Sequence, residues 1–84
     1  MIVKKIPISK IRKNERIRED LGNIKQFAKL IALIGLLYPI DVCEEDNGTY
    51  TLLAGERRLE ACKLLGWTTI DAHVRTCQEL NIID

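Results

Sequence analysis

The chain has 84 residues, with 13 lysines and arginines against 12 aspartates and glutamates and a net charge of +1. This length fits one small domain, and the near balance of charge excludes the overall basic excess that non-specific nucleic-acid binding requires. The longest apolar stretch, residues 30–40, is broken by Gly35 and Pro39 and is too short to cross a bilayer, so we expect no membrane contact. The cysteine usage described below predicts a cytoplasmic protein.

The first predicted elements are a strand and a helix. Residues 2–6 combine β-branched side chains with two lysines before Pro7, which predicts an edge strand. From about Glu19, apolar residues recur at three- and four-residue spacing as far as Ile34. This spacing predicts an amphipathic helix that Gly35 ends.

A hairpin is predicted next. The segments YPIDVCEE and TYTLLAG have the composition of strands, and they are joined by a turn that contains Asn47 and Gly48. Both turn residues tolerate the positive φ angles of a tight hairpin. We therefore expect two antiparallel neighbouring strands.

The last part of the chain predicts a helix and a strand. A helix is expected over residues 56–65, with Gly66 as its end and with Ala61, Cys62 and Leu65 on its inner face. The segment TTIDAHV is expected to be a strand, and residues 77–84 to form one or two helical turns. The predicted fold is α+β, a small mixed sheet of about four strands with two main helices.

The three cysteines, at positions 43, 62 and 77, are odd in number and widely spaced. This pattern fits neither a disulfide framework nor a paired metal knuckle. We therefore expect reduced thiols in a reducing compartment and no metal ligands among them.

The segment LLAGERRLEA, residues 52–61, predicts an anion-binding corner. Gly55 stands where a strand turns into a helix, so the first N–H groups of that helix point outward beside Arg57 and Arg58. The alternative is a solvated helix surface, because Glu56 suits a first helical turn in any protein. In that case Glu60 pairs one turn away with Arg57 or Lys63.

Three segments together resemble a known family. IPISKIRKNERIRE, IGLLYPIDV and YTLLAGERRLEACKLLGWTTIDAHV are similar to the amino-terminal domain shared by ParB partition proteins and their sulfiredoxin-like relatives. The resemblance implies one ParB/sulfiredoxin-like domain over residues 1–84, either a whole protein or the N-terminal part of a longer one.

The resemblance also implies a ligand. In the ParB branch this domain binds CTP with Mg²⁺, so the implied cofactor is CTP or another nucleoside triphosphate with Mg²⁺. The implied phosphate- and nucleotide-binding residues are Arg18, Gly35, Pro39, Ile40, Gly55, Glu56, Arg57 and Arg58. Tyr38 stands where the family usually has glutamine, and Glu60 stands where a basic residue is common. Sulfiredoxins have a reactive cysteine at the position of Glu56, so the resemblance implies no sulfinic acid reduction here.

Three functional hypotheses follow. The leading one is a nucleotide-responsive module of a DNA-segregation or regulatory protein, which contacts DNA through regions outside this chain and forms a homodimer. The alternative is an enzyme, either a phosphotransferase or a metal-dependent nuclease, with Glu56 as general base or magnesium ligand and the two arginines stabilising charge. The third is a protein-interaction domain whose nucleotide pocket has degenerated.

Overall fold

Two helices and a five-stranded sheet make up the described part of the chain, residues 2–13, 22–36 and 38–78 of a computed structural model. A short 3₁₀ turn, Ile8–Lys10, separates the first two strands. The elements are β1 (Ile2–Pro7), β2 (Ile11–Arg12), α1 (Ile24–Ile34), β3 (Ile40–Glu44), β4 (Tyr50–Ala54), α2 (Glu56–Leu64) and β5 (Thr69–Thr76). The predicted α+β class is confirmed, and the additional strand is the two-residue β2.

The sheet is mixed, with the strand order β1-β5-β3-β4-β2. The predicted hairpin is confirmed, since β3 and β4 pair antiparallel. Strand β5 pairs parallel with β3 and antiparallel with β1, and β2 pairs parallel with β4. Strand β3 therefore lies at the centre of the sheet. Helix α2 connects β4, on one side of β3, to β5, on the other side.

The hairpin turn differs from the prediction in one respect. Gly48 has a φ of 87°, but among the described residues only glycines have positive φ, so Asn47 does not. Instead, the Asn47 side chain accepts hydrogen bonds from the backbone N–H of Thr49, at 3.1 Å, and from its hydroxyl, at 2.7 Å. Asn47 thus shapes the turn through its side chain.

Helix α1 is shorter than predicted at its start. Its cap is Asn23, whose side chain accepts a hydrogen bond from the Gln26 N–H, and its end at Gly35 is confirmed by a φ of 84°. The predicted start near Glu19 lies outside the described residues. Ile34, predicted to face the core, is 49% exposed. None of the helices in the described ranges is long and apolar enough to span a bilayer.

The core forms where the two helices pack on each other and α2 packs against the central strand β3. The predicted inner residues of α2 are confirmed for Ala61 and Cys62, which are fully buried, whereas Leu65 is partly buried. Leu59 is also fully buried. The largest fully buried side chains are Ile6, Ile40, Leu52, Leu59, Ile70, Val42 and Cys62.

The expectation of three reduced thiols is wrong for two of them. Cys43 and Cys77 form a disulfide, with Cα atoms 4.9 Å apart. The parallel register of β3 and β5 places Cys43 opposite Arg75, so Cys77 emerges beside it at the end of β5. Spacing along the chain could not reveal this contact, because it depends on strand register. Apart from residues 77 and 78, the predicted C-terminal helical turns lie outside the described residues.

Candidate functional site

Gly55 forms the corner between β4 and α2 in a conformation that suits glycine. Its φ of 99° and ψ of 32° are left-handed, and a Cβ added there would lie 2.9 Å from Ile40 Cγ2. Any side chain would therefore be strained by the backbone and would collide with a fully buried neighbour. Ile40 thus supports the corner from inside the core.

The start of α2 has the geometry of an anion-binding helix terminus. No side chain caps this end of the helix, and the Leu59 N–H donates a hydrogen bond of 3.0 Å to the Gly55 carbonyl oxygen, which closes the first helical turn. The N–H groups of the first turn precede that bond and point along the helix axis, where the positive end of the helix dipole lies.

Arg58 is held against the segment that leads into β3. Its Nη1 donates a hydrogen bond of 3.0 Å to the carbonyl oxygen of Pro39, and its Cζ lies 5.7 Å from the centre of the Tyr38 ring. The aromatic side chain at position 38 therefore positions an arginine through a cation–π contact. Arg58 also lines a largely apolar cavity of about 260 Å³.

Arg57 faces a different neighbour. Its Cζ lies 4.5 Å from the centre of the Phe27 ring on α1. It lines a second concavity, of about 330 Å³, together with Asn23 and Gln26. Phe27 and Leu30 border both cavities, so the two arginines lie on either side of these two α1 side chains.

Glu56 is turned away from both arginines. Its side chain is 8% exposed, and its carboxylate lies 3.2 Å from Lys13 Nζ. Lys13 also contacts Glu60 at 3.0 Å, and Glu60 contacts Lys63 at 3.2 Å. Successive α-helical residues differ by about 100° around the axis, so Glu56, Glu60 and Lys63 share a face that the arginines do not.

The pKa values reflect this cluster of charges. Burial raises the pKa of Glu60, but hydrogen bonds from Lys13 and Lys63 outweigh it, and the net pKa is lowered. The pKa of Lys13 is raised, chiefly by its hydrogen bond to Glu60 and despite desolvation. The negative charge of Glu60 is thus balanced inside the protein.

The predicted site residues fall into three groups. Gly35 and Arg58 line the apolar cavity, and Pro39 joins them through its bond to Arg58. Gly55 and Ile40 contact each other beneath the helix start, while Glu56 and Arg57 point to separate neighbours. Arg18 lies outside the described residues. No ligand contact tests this set, so the assignment stays a prediction.

Sequence reasoning missed three contributors to this region. Phe27 and Leu30 border the cavities beside the two arginines, and Lys13 pairs with Glu56; none of the three was predicted as a site residue. Helical periodicity gave a signal for Phe27, because its position is on the inner face of α1. The partnership of Lys13 with Glu56, 43 positions away, has no local signal.

The free thiol, Cys62, and a group of potential metal ligands lie outside the cavities that the two arginines line. Cys62 is fully buried in α2, and this burial raises the pKa of its thiol to about 11, which suits a structural side chain. Among the described residues, Cys43, Glu45 and Cys77 bring potential metal-ligand atoms within 4.8 Å of one another, with the two cysteines joined as a disulfide.

The sequence matches the family described as the ParB N-terminal domain over residues 1–84. The chain belongs to this family. It is 38% identical over 80 residues to the nucleoid occlusion protein of Geobacillus sp. (strain WCH70), an alignment that covers 92% of this chain and 28% of that relative. The chain therefore spans little more than a quarter of the length of this relative.

Two solved structures share the ParB/sulfiredoxin-like fold. Sulfiredoxin from Arabidopsis thaliana superposes with a TM-score of 0.77 at 36% identity, covering 90% of this chain and 86% of that chain. The C-terminally truncated chromosome-partitioning protein ParB from Caulobacter crescentus, complexed with CTP-gamma-S, also gives 0.77 at 27% identity. That match covers 95% of this chain and 47% of that one.

Proposed function

We propose that this ParB N-terminal domain is a nucleotide-binding module of a chromosome-segregation or related regulatory protein. The proposed ligand is CTP or another nucleoside triphosphate, with Mg²⁺ bound to its phosphate oxygens. The triphosphate occupies the corner at residues 55–58, and the base of the nucleotide enters the cavity beside Arg58, where the faces of its ring pack on apolar side chains.

The observation that carries the proposal is the pairing of a helix start with an adjacent cavity. Gly55 lets the backbone turn directly from β4 into α2, and Arg58 is fixed by Pro39 and Tyr38 at the cavity's edge. The cavity is lined by Phe27, Leu30, Ile31, Ile34, Gly35, Leu36, Tyr38 and Arg58. These two neighbouring surfaces suit a ligand that carries both phosphate groups and a flat aromatic base, because the helix start can bind the phosphates and the cavity walls can pack on the faces of the base.

Relatives and charge both support this proposal. The Caulobacter ParB, 27% identical, is complexed with a CTP analogue. Glu60, which replaces a basic residue common in the family, does not oppose a triphosphate here, because its carboxylate contacts Lys13 and Lys63 on another face of α2.

Calorimetric titration tests the proposal. We expect CTP with Mg²⁺ to bind the chain with an affinity on the order of micromolar. Arg58→Gln should weaken that affinity at least tenfold, because a hydrogen bond from a charged donor to phosphate contributes about 1.5–3 kcal/mol. A panel of the four common ribonucleoside triphosphates would identify the preferred base.

The matched control is Lys63→Gln, which removes the same charge from the same helix. Lys63 lies on the face of α2 that carries Glu60, so its loss should change nucleotide affinity less than twofold. Circular dichroism would verify that both variants are folded. Absence of saturable binding for every nucleotide, or equal losses in both variants, would contradict the proposal.

Binding, rather than catalysis, is the function that we propose. The enzyme alternative requires Glu56 as general base or magnesium ligand, but this carboxylate is buried beside Lys13 Nζ. Nuclease or phosphotransferase turnover that Glu56→Gln abolished would reverse this choice.

DNA contact and dimerisation belong to the proposal for the whole protein. A Caulobacter ParB structure is complexed to the centromeric parS site. Because this chain has a net charge of only +1, we assign DNA contact to other regions of such a protein. Sedimentation with and without CTP would show whether the nucleotide drives the proposed homodimer.

A further inference from the structure

A group of three potential metal ligands lies away from the proposed nucleotide site. The ligand atoms of Cys43, Glu45 and Cys77 all lie within 4.8 Å of one another. Cys43 and Cys77 are joined as a disulfide in the structure. The proposed nucleotide site uses none of these residues.

The sheet brings the three residues together from distant positions in the sequence. Cys43 is in β3, Glu45 follows that strand directly, and Cys77 follows β5, the parallel neighbour of β3. Cys43 is buried, whereas Glu45 and Cys77 are partly exposed. A cation could therefore reach the two exposed ligands from solvent.

We propose that the reduced form of this group binds Zn²⁺ or a similar thiophilic divalent cation. A dithiol first reduces the disulfide: the dithiol loses two electrons and two protons and becomes a disulfide, and Cys43 and Cys77 become thiols. Metal binding then releases one proton from each thiol. Two thiolates and the Glu45 carboxylate occupy three positions of a tetrahedral site, and a water molecule occupies the fourth.

The spacing of the backbone permits this geometry. Thiolates bind zinc at about 2.3 Å, so two of them on one tetrahedral ion lie roughly 3.8 Å apart. The Cα atoms of Cys43 and Cys77 are 4.9 Å apart, which allows the sulfurs to separate to that distance by side-chain rotation. The carboxylate is already within reach of both sulfurs.

The surroundings of the carboxylate and the sulfurs favour this class of ion. The Thr51 hydroxyl donates a hydrogen bond of 2.6 Å to Glu45 Oε2, which orients the carboxylate in the manner of an outer-shell partner. Two sulfur ligands select zinc over magnesium or calcium, which prefer sites made of oxygen alone.

Cobalt titration of the 84-residue chain tests the proposal. The chain is reduced with a dithiol, freed of it by gel filtration without oxygen, and titrated with Co²⁺. We expect thiolate-to-cobalt charge-transfer absorption that saturates at one ion per chain and is displaced by Zn²⁺. Oxidised chain should show none.

Three variants separate the proposed site from other thiols. Cys77→Ser should abolish the absorption, and Glu45→Gln should weaken cobalt binding at least tenfold. Cys62→Ala removes the buried thiol of α2 and should leave the absorption unchanged. If reduced chain takes up no metal, or if Cys77→Ser binds as tightly as wild type, the proposal is overturned.

Circular dichroism keeps the test decisive if reduction alone unfolds the chain. In that case Zn²⁺ should restore the folded spectrum of reduced wild type but not that of Cys77→Ser. Failure of Zn²⁺ to refold the reduced wild-type chain would equally overturn the proposal. None of these results depends on nucleotide binding.

Discussion

Among single residues, Gly55 places the tightest constraint on the proposed nucleotide site. We expect Gly55→Ala to lower the free energy of unfolding by about 2–4 kcal/mol, since it combines left-handed backbone strain with a clash against Ile40. The control is Gly66→Ala, where φ is also positive, at 79°, but no atom lies within 4 Å of the added Cβ. That variant should lose about 1–2 kcal/mol. Equal losses in urea denaturation would contradict the packing argument.

Lys13 compensates the negative charge of the buried Glu56 carboxylate, so its removal should lower the stability of the fold. We expect Lys13→Met to lower the free energy of unfolding by about 1–2 kcal/mol, less than for a fully buried pair because Lys13 is partly exposed. Lys63→Met breaks a more exposed ion pair with Glu60, one turn away on the same helix. It should lower the free energy of unfolding by about 0.5 kcal/mol or less. Urea denaturation of both variants measures the difference. A larger effect at Lys63 would contradict the proposed role of Lys13.

The ion pairs of Glu60 predict a dependence of stability on pH. Because the folded-state pKa of Glu60 is lowered, its contribution is present above the unfolded-state pKa of about 4.3 and is lost as the pH falls through the folded-state value. We expect Glu60→Gln to be less stable than wild type at neutral pH and the two to converge in acid. Denaturation at several pH values tests this. A difference that persists at low pH would contradict the ion-pair explanation.

The sequence predicted the backbone conformation of two glycines near this site, but it did not predict the directions of the arginine side chains. Gly55 and Gly35 could be identified because positive φ leaves few residue choices at a strand end or helix end. The directions of Arg57 and Arg58 could not be read from their adjacency. Neighbouring helical residues point about 100° apart. Arg57 therefore contacts the Phe27 ring on α1, whereas Arg58 contacts the Tyr38 ring in the segment before β3.

At the level of elements, strands and helices of five residues or more could be predicted from the sequence, whereas the two-residue strand β2 could not. Strands β1, β3, β4 and β5 and both helices were expected, because alternation and helical spacing have clear periods. Strand β2 has two residues, Ile11 and Arg12, and therefore no period to detect. Its existence depends on parallel pairing with β4, which is a tertiary contact.

The disulfide ties β3 to the end of β5, and its loss should be measurable in stability. It closes a loop with a sequence separation of 34 residues. On the loop-entropy estimate, Cys43→Ser combined with Cys77→Ser should lower the free energy of unfolding by up to about 4 kcal/mol. A dithiol should destabilise the wild-type chain by a similar amount and leave the double variant unchanged. An oxidised wild type no more stable than the double variant would contradict this account.

For the molecule as a whole, the family and the α+β fold could be predicted because the quoted motifs span most of the chain. The apolar cavity could not, since it forms where α1 and the segment before β3 meet Arg58. The fold thus places three separate stretches of sequence at one corner. Our central claim is that this corner, rather than the charged face with Lys13, receives the phosphates of a nucleotide.

The most direct test of this claim is a ¹H–¹⁵N NMR titration of the labelled chain with CTP and Mg²⁺. We expect the largest shifts at the backbone amides of residues 55–58, with smaller shifts at Gly35 and Tyr38 beside the cavity. The amides of Lys63 and of β1 should remain in place. Saturating CTP that leaves residues 55–58 unmoved, or that shifts another surface instead, would contradict the claim.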